Sequence, residues 1–165
     1  MEDSSIGSHI FNLEGFMRQV NIWRLKDDKI VFTNGCFDIL HEGHVDILRR
    51  AYTMGDRTIV AVNSDASVRG LEKAPNRPIN NEKARAAVLA AVRYVDAVVI
   101  FDEPTPLNLI ELIKPNVLIK GGDWKVDDIV GSDIVKATGG EVLSLDLVEG
   151  ISTTGIIEKI AHGQS

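Results

Sequence analysis

The sequence predicts an α/β fold, with a doubly wound parallel five-stranded sheet flanked by helices. Three observations carry that expectation. Short apolar, β-branched runs recur without polar alternation, as in strands buried on both faces. Segments with apolar residues at 3.6-residue spacing separate them. Strands and helices alternate five times with short joints, an order that favours parallel pairing and right-handed crossovers.

Residues 1–9 are small and polar and are expected to fray. From Ile10 to Leu25, apolar residues at Ile10, Leu13, Val20 and Trp23 suggest helical turns. These pack on the domain or serve a homodimer interface. Lys29 to Thr33 is the first strand, and His44, Ile47, Leu48 and Ala51 mark the buried face of the helix that follows. Arg57 to Asn63 is the second strand. A polar loop over 64–79 leads to a helix capped by Asn80 and running through about Arg93, with Ala84, Ala87, Val88 and Ala91 inward. Asp96 to Phe101 is the third strand. A short helix then opens at Thr105-Pro106 and stops at Lys114-Pro115. Val117 to Lys120 is the fourth strand and Glu141 to Leu145 the fifth, with a helix near 131–138 between them. Ser152 caps a last helix containing Ile156, Ile157 and Ile160. No repeat and no linker interrupts the 165 residues, so one domain spanning 1–165 is expected.

Composition narrows the function. Eighteen basic against 24 acidic side chains leave a formal charge of −6, a poor basis for holding nucleic acid. No apolar stretch is long enough for a membrane helix, and the acidic, polar N-terminus is unlike an export signal. The single cysteine, Cys36, cannot form an internal disulfide. A cytoplasmic location is the expectation.

In parallel sheets ligands gather at the carboxyl ends of the strands, where strand order reverses. The joint after the first strand reads Thr33-Asn34-Gly35-Cys36-Phe37-Asp38-Ile39-Leu40-His41-Glu42-Gly43-His44. Gly43 permits close approach at a helix N-terminus, where unpaired N–H groups favour an anion. His41 and His44, three residues apart, can both donate to phosphate oxygens that gain charge during transfer. A zinc site is the rival for this pair, but no cysteine pair and no obvious third ligand accompany it. Ser152-Thr153-Thr154 opens a second helix toward an anion, and Ser152 also serves as its cap. Lys120-Gly121-Gly122-Asp123-Trp124 makes a tight turn after the fourth strand, with Asp123 able to accept from sugar hydroxyls. Arg69, Lys73 and Arg77 form a basic loop able to close on phosphates. Cys36 reads as a small, half-buried residue rather than a nucleophile.

Thr33 to His44 resembles the signature of the nucleotidyltransferase superfamily that includes the cytidylyltransferases and shares His-x-Gly-His with class I aminoacyl-tRNA synthetases. Asn63-Ser64-Asp65, Asn76-Arg77-Pro78-Ile79-Asn80, Lys120 to Trp124 and Glu149-Gly150-Ile151-Ser152-Thr153-Thr154 follow in order. Together they are similar to the heptose 1-phosphate adenylyltransferase branch, over roughly residues 28–161. The resemblance implies a Rossmann-like fold and transfer of AMP from ATP, carried with Mg²⁺, to D-glycero-β-D-manno-heptose 1-phosphate for lipopolysaccharide synthesis. It implies that His41 and His44 are catalytic and that the phosphates hold most of the Mg²⁺. It further implies nucleotide contacts from Asn34, Gly35, Cys36, Phe37, Gly43, Arg85, Gly121, Asp123, Glu149, Gly150, Ile151, Ser152, Thr153 and Thr154. Substrate or phosphate contacts would come from Asp38, Asn63, Asp65, Arg69, Lys73, Arg77, Lys120 and Trp124. In many bacteria such a domain follows a sugar kinase, and 165 residues suggest the stand-alone form.

One departure stands out. The glycerol-3-phosphate cytidylyltransferases carry Arg-Thr-x-Gly-Ile-Ser-Thr-Thr, and here Leu147 occupies the arginine position. A cationic phosphate contact of that branch is absent, which raises the demand on Lys73, Arg77 and Arg85. An enzyme of that type using CTP is the alternative, and a nucleotide sensor without turnover is the alternative of another class.

Overall fold

The computed structural model describes residues 9–71 and 76–163. Its elements run β1 (Ile10–Phe11), α1 (Leu13–Leu25), β2 (Ile30–Gly35), α2 (Glu42–Tyr52), β3 (Arg57–Asn63), α3 (Asp65–Gly70), α4 (Glu82–Ala90), β4 (Ala97–Phe101), α5 (Leu107–Ile113), β5 (Val117–Gly121), α6 (Ser132–Ala137), β6 (Glu141–Leu145) and α7 (Thr153–Ala161). The strands form one sheet in the order β1-β4-β3-β2-β5-β6. Every pairing is parallel. The α/β, Rossmann-like expectation therefore holds, with one strand added. Ile10 and Phe11, which by sequence start a helical segment, pair instead with Val98 and Val99 at the edge. Two residues are too few for a strand period to show in sequence. Residues 1–8, expected to fray, lie outside the described residues. His9 is exposed, with its Nδ1 3.0 Å from the Asp96 carbonyl oxygen.

Period-2 alternation divides the core. Ile30 and Phe32 of β2 face one side with Ile59 and Ala61 of β3, where Phe16, Val20 and Trp23 of α1 and Ile110 and Ile113 of α5 cover them. Val60 and Val62 face the other side and meet Leu48 of α2 and Ala86 and Leu89 of α4. Val31, Val117 and Ile119 pack there on Ile47 and Ala51 of α2. β2 thus lies at the centre with helices on both faces. The chain leaves β2 through β3 and β4, then returns to β5 on the other flank. That reversal opens the sheet at the carboxyl ends of β2 and β5.

Three sequence expectations differ from the structure. The polar loop after β3 contains a turn-and-a-half helix, α3, capped by the Ser64 side chain accepting from the Ser67 amide. And α4 buries a different face. Its inward residues are Arg85, Ala86, Leu89 and Ala90, while Val88 is 50% exposed and Ala84 and Ala91 face out. An apolar-stripe argument assigns an arginine to solvent. Here Arg85 is drawn in by buried polar partners and rotates the stripe. Asn81, not Asn80, caps this helix by accepting from the Ala84 amide at 2.9 Å. Among the described residues no helix is long and apolar enough to cross a membrane.

The rotated face is testable by urea denaturation. Leu89→Ala should cost about 2–5 kcal/mol, as a buried leucine truncation does. Val88→Ala should stay within about 0.5 kcal/mol, as an exposed substitution does.

Candidate active site

Tight reversal at the end of β2 places the first functional joint. Phe37 adopts a left-handed φ of 47°, rare for an aromatic residue. Burial of its ring offsets the cost: Phe37 is 8% exposed and lies 5.1 Å, ring centre to ring centre, from His44. The turn delivers the chain to His41, which occupies the N-cap position of α2 without a side-chain capping bond. His41 and His44 then stack, with ring centroids 3.8 Å apart and planes 23° apart. Gly43 between them leaves the His41 ring its room. A Cβ there would lie 3.1 Å from Cε1 and 3.2 Å from Nδ1 of His41.

Both imidazoles are held neutral. Burial, then repulsion from His41 and Arg77, pushes His44 down to about 4, outweighing the Ile39 backbone, which favours the charged form. Burial also lowers His41. The Nδ1 atoms of both rings are buried without a hydrogen-bond partner. A neutral imidazole donates from one nitrogen only, so each ring offers a single N–H donor.

The histidines line a cavity of roughly 350 Å³ between the ends of β2 and β5. Asn34, Gly35, Cys36, Phe37, Gly43, Arg77, Lys120, Gly121 and Trp124 share its wall, with Ile151, Ser152, Thr153 and Thr154 on the far side. Ser152 caps α7 by accepting from the Gly155 amide at 3.0 Å. Two helix N-termini therefore converge on one space that carries Arg77 and Lys120 and, among the described residues, no carboxylate. Such a space suits an anion. At Gly121 a Cβ would run into Cδ1 of Ile47, so a larger residue there would have to push that side chain aside. A second cavity of roughly 260 Å³ adjoins it, sharing Asn34, Gly35, Cys36, Lys120 and Trp124 and adding Asn63. Trp124 is held on this rim by donation from its Nε1 to the Gly121 carbonyl at 3.2 Å, with the Lys120 ammonium 5.7 Å from its ring.

Other predicted contacts lie elsewhere. Arg85, expected at the nucleotide, has its side chain fully buried behind the loop. It donates to the Cys36 carbonyl at 2.6 Å, the Asn80 carbonyl at 3.0 Å and the Asp65 carboxylate at 2.8 Å. Its charge is committed to the scaffold, and so is that of Asp65. Asp38, expected to meet substrate, has a buried carboxylate. It accepts from the amides of Ile79 at 2.8 Å and Asn80 at 2.9 Å and from Nε of Arg77 at 3.1 Å. Burial alone would raise this carboxyl, but those amides and the guanidinium outweigh it and hold it below the usual range. Arg69 borders a separate surface hollow with Asp65, Glu82, Lys83 and Asp102. Asp123, Glu149 and Gly150 are exposed and line neither cavity. Lys73 lies outside the described residues. Asn63 is buried and donates to Ser67 Oγ at 3.0 Å.

Sequence reasoning missed Thr33 and Ile47 in the first cavity and Leu71, Pro104, Thr105, Pro106, Asp128, Ile129 and Val130 in the second. The strand-end rule points to 101–106 without singling out a residue. Nothing in sequence separates the others from core or loop.

Two outcomes follow from this geometry. Gly43→Ala should leave stability equal or slightly higher, because alanine favours helix, while displacing His41; kinetics beside a thermal melt would reveal the split. For His44, the folded value of about 4 lies below the ordinary 6.5, so the unfolded chain takes up the proton first. The stabilisation from its neutral form is complete above about pH 6.5 and is lost as pH falls toward 4. His44→Gln should therefore flatten the acid limb of stability, measured by urea denaturation at pH 7 and pH 5.

The chain is similar to known proteins in both sequence and fold. The sequence profile described as Cytidylyltransferase-like matches residues 32–159. The chain is 56% identical over 151 residues to the "Bifunctional protein HldE" of Pseudomonas syringae pv. syringae, covering 92% of this chain and 32% of that protein. The protein of the same name from Azotobacter vinelandii matches to the same extent. The chain thus spans about a third of the length of the curated relatives it matches. Among solved structures, a lipopolysaccharide core biosynthesis protein from Thermoplasma volcanium superimposes with a TM-score of 0.60 at 27% identity, over 73% of this chain and 97% of that one. Pantoate-beta-alanine ligase from Francisella tularensis, in complex with beta-gamma ATP and beta-alanine, shares the fold with a TM-score of 0.61 at 18% identity, over 90% of this chain and 75% of that one. With the profile spanning most of its length, the chain belongs to the cytidylyltransferase-like family of nucleotidyltransferases.

Proposed function

We propose that this chain transfers AMP from ATP to D-glycero-β-D-manno-heptose 1-phosphate, giving ADP-heptose and pyrophosphate. The observation that carries the reading is the stacked, neutral His41–His44 pair facing Ser152–Thr154 across a cavity lined by Arg77 and Lys120. High identity to the HldE proteins supports the heptose assignment. Likeness to the lipopolysaccharide core biosynthesis protein of Thermoplasma supports a place in lipopolysaccharide synthesis.

The chemistry suits neutral donors. The attacking group is an oxygen of the sugar phosphate, already ionised at neutral pH, so no base is needed to remove a proton. That oxygen bonds to the α-phosphorus of ATP in line. The bond from α-phosphorus to the bridging oxygen breaks, and its electron pair leaves with pyrophosphate. Charge grows on the phosphoryl oxygens as this happens, and preorganised N–H donors stabilise it. Each neutral ring of His41 and His44 supplies one N–H donor to those oxygens. Ser152 and Thr154 add hydroxyls and α7 its N-terminus. Asn34, Gly35, Cys36, Phe37, Gly121 and Ile151 wall the nucleotide, and the adjoining cavity, with Asn63 and Trp124, seats the acceptor. Mg²⁺ carried by ATP would supply charge neutralisation on its phosphates, beside Arg77 and Lys120 of the wall. Among the described residues no group of three ligating side chains is placed to hold it.

Incubation with ATP, Mg²⁺ and the heptose phosphate should release pyrophosphate, and release no higher than a blank would refute the proposal. His44→Ala should lower kcat by about 10²–10³, the scale of one lost oxyanion-type donor. ATP should raise the melting temperature more than CTP at equal concentration. The opposite order would favour a cytidylyl donor.

A further inference from the structure

Leu147 lines the histidine cavity and is 54% exposed, so this position contributes no charge to it. Arg85 is committed to the scaffold. Arg77 is then a principal cation of the wall, and what holds it there is specific. Its side chain is only 10% exposed, and its Nε donates to Asp38 Oδ2 at 3.1 Å. Asp38 Oδ1 accepts from the amides of Ile79 at 2.8 Å and Asn80 at 2.9 Å, two and three residues past Arg77. The Asn80 side chain donates back to the Asp38 carbonyl at 2.7 Å. One carboxylate therefore grips both the backbone of the segment and the side chain it carries. The grip leaves the Nη groups of Arg77 without a hydrogen bond among the described residues. The guanidinium stands close enough to His44 to repel its protonated form.

We infer that Asp38 is a positioning residue that fixes Arg77 against the histidine wall of the cavity, so that Arg77 presents a preformed guanidinium to a phosphate group of the ligand. Fixing a long, flexible side chain beforehand removes ordering cost from the binding step. Arginine suits the role because its fork can bind the carboxylate with one edge and phosphate with the other. This rests on reading the cavity as a phosphate site. The role differs from scaffolding because it acts through one side chain.

The test is a double-mutant cycle on ligand binding. Dissociation constants for pyrophosphate and for adenosine are measured by calorimetry on the wild type, Asp38→Asn, Arg77→Ala and the double variant, each checked by a thermal melt. Asp38→Asn and Arg77→Ala should each weaken pyrophosphate about tenfold, the double variant no further, and adenosine should be unmoved. Leu147→Arg, which places a cation on the same wall, should restore part of the affinity lost in Arg77→Ala. Additive losses, or equal losses for adenosine, would overturn the inference. If Asp38→Asn fails to fold, the ¹⁵N signal of Arg77 Nε–H in the wild type decides. A slowly exchanging signal before ligand supports it, and one appearing only with pyrophosphate overturns it. A protein that binds pyrophosphate in this pattern yet transfers no AMP to heptose phosphate would refute the proposed reaction and leave the positioning role standing. A wild type that binds no pyrophosphate overturns both.

Discussion

The reversal of strand order beside β2 governs the rest of this molecule. At this switch point the connection leaving β2 runs to β3 on one flank and the connection leaving β5 runs to β6 on the other, so their loops cannot cover the same ground. The loops from β2 and β5 separate, and the space between them becomes the cavity. Everything chemical is arranged on that gap: the His41–His44 stack on one lip, the α7 N-terminus on the other, and Trp124 on the rim shared with the second cavity.

Charge is distributed by the same logic. The chain is acidic overall, with a formal charge of −6, and still offers a cavity wall of two cations and no carboxylate among its described residues. Two acidic side chains near that wall are occupied. Asp38 is bound to Arg77 and to backbone amides, and Asp65 to Arg85. Pairing the buried Asp38 carboxylate and the buried Arg85 guanidinium with opposite charges avoids the large cost of an unpaired buried charge and keeps negative potential from the phosphate space. Net charge therefore bears on long polyanions and says little about a single nucleotide, whose attraction is local.

The buried pairs also explain how the loop after β2 stays in shape despite the left-handed Phe37. Arg85 holds the Cys36 carbonyl and the Asn80 carbonyl at once, tying the β2–α2 joint to the segment that carries Arg77. Strain at a functional turn persists when surrounding contacts over-determine it. Here a single guanidinium bridges the two loops, so the histidine lip and the cationic wall are held as one unit.

The central strands, the buried face of α2, the cap that starts α7 and the His-x-Gly-His joint were all legible in the order of residues. Each depends on local chemistry: strand periodicity, capping, and glycine where backbone must approach. The edge strand at Ile10–Phe11, the inward turn of Arg85, and the division of Asp38, Asp65 and Arg77 between scaffold and cavity came only with the folded chain. An ionisable side chain reads from sequence as a ligand contact or a solvated charge. Whether its partner is a substrate or another residue 20 or 39 positions away depends on which segments the fold brings together. Hydrophobic pattern carries no information about that pairing, because a paired buried charge is stabilised by a specific contact and not by burial as such.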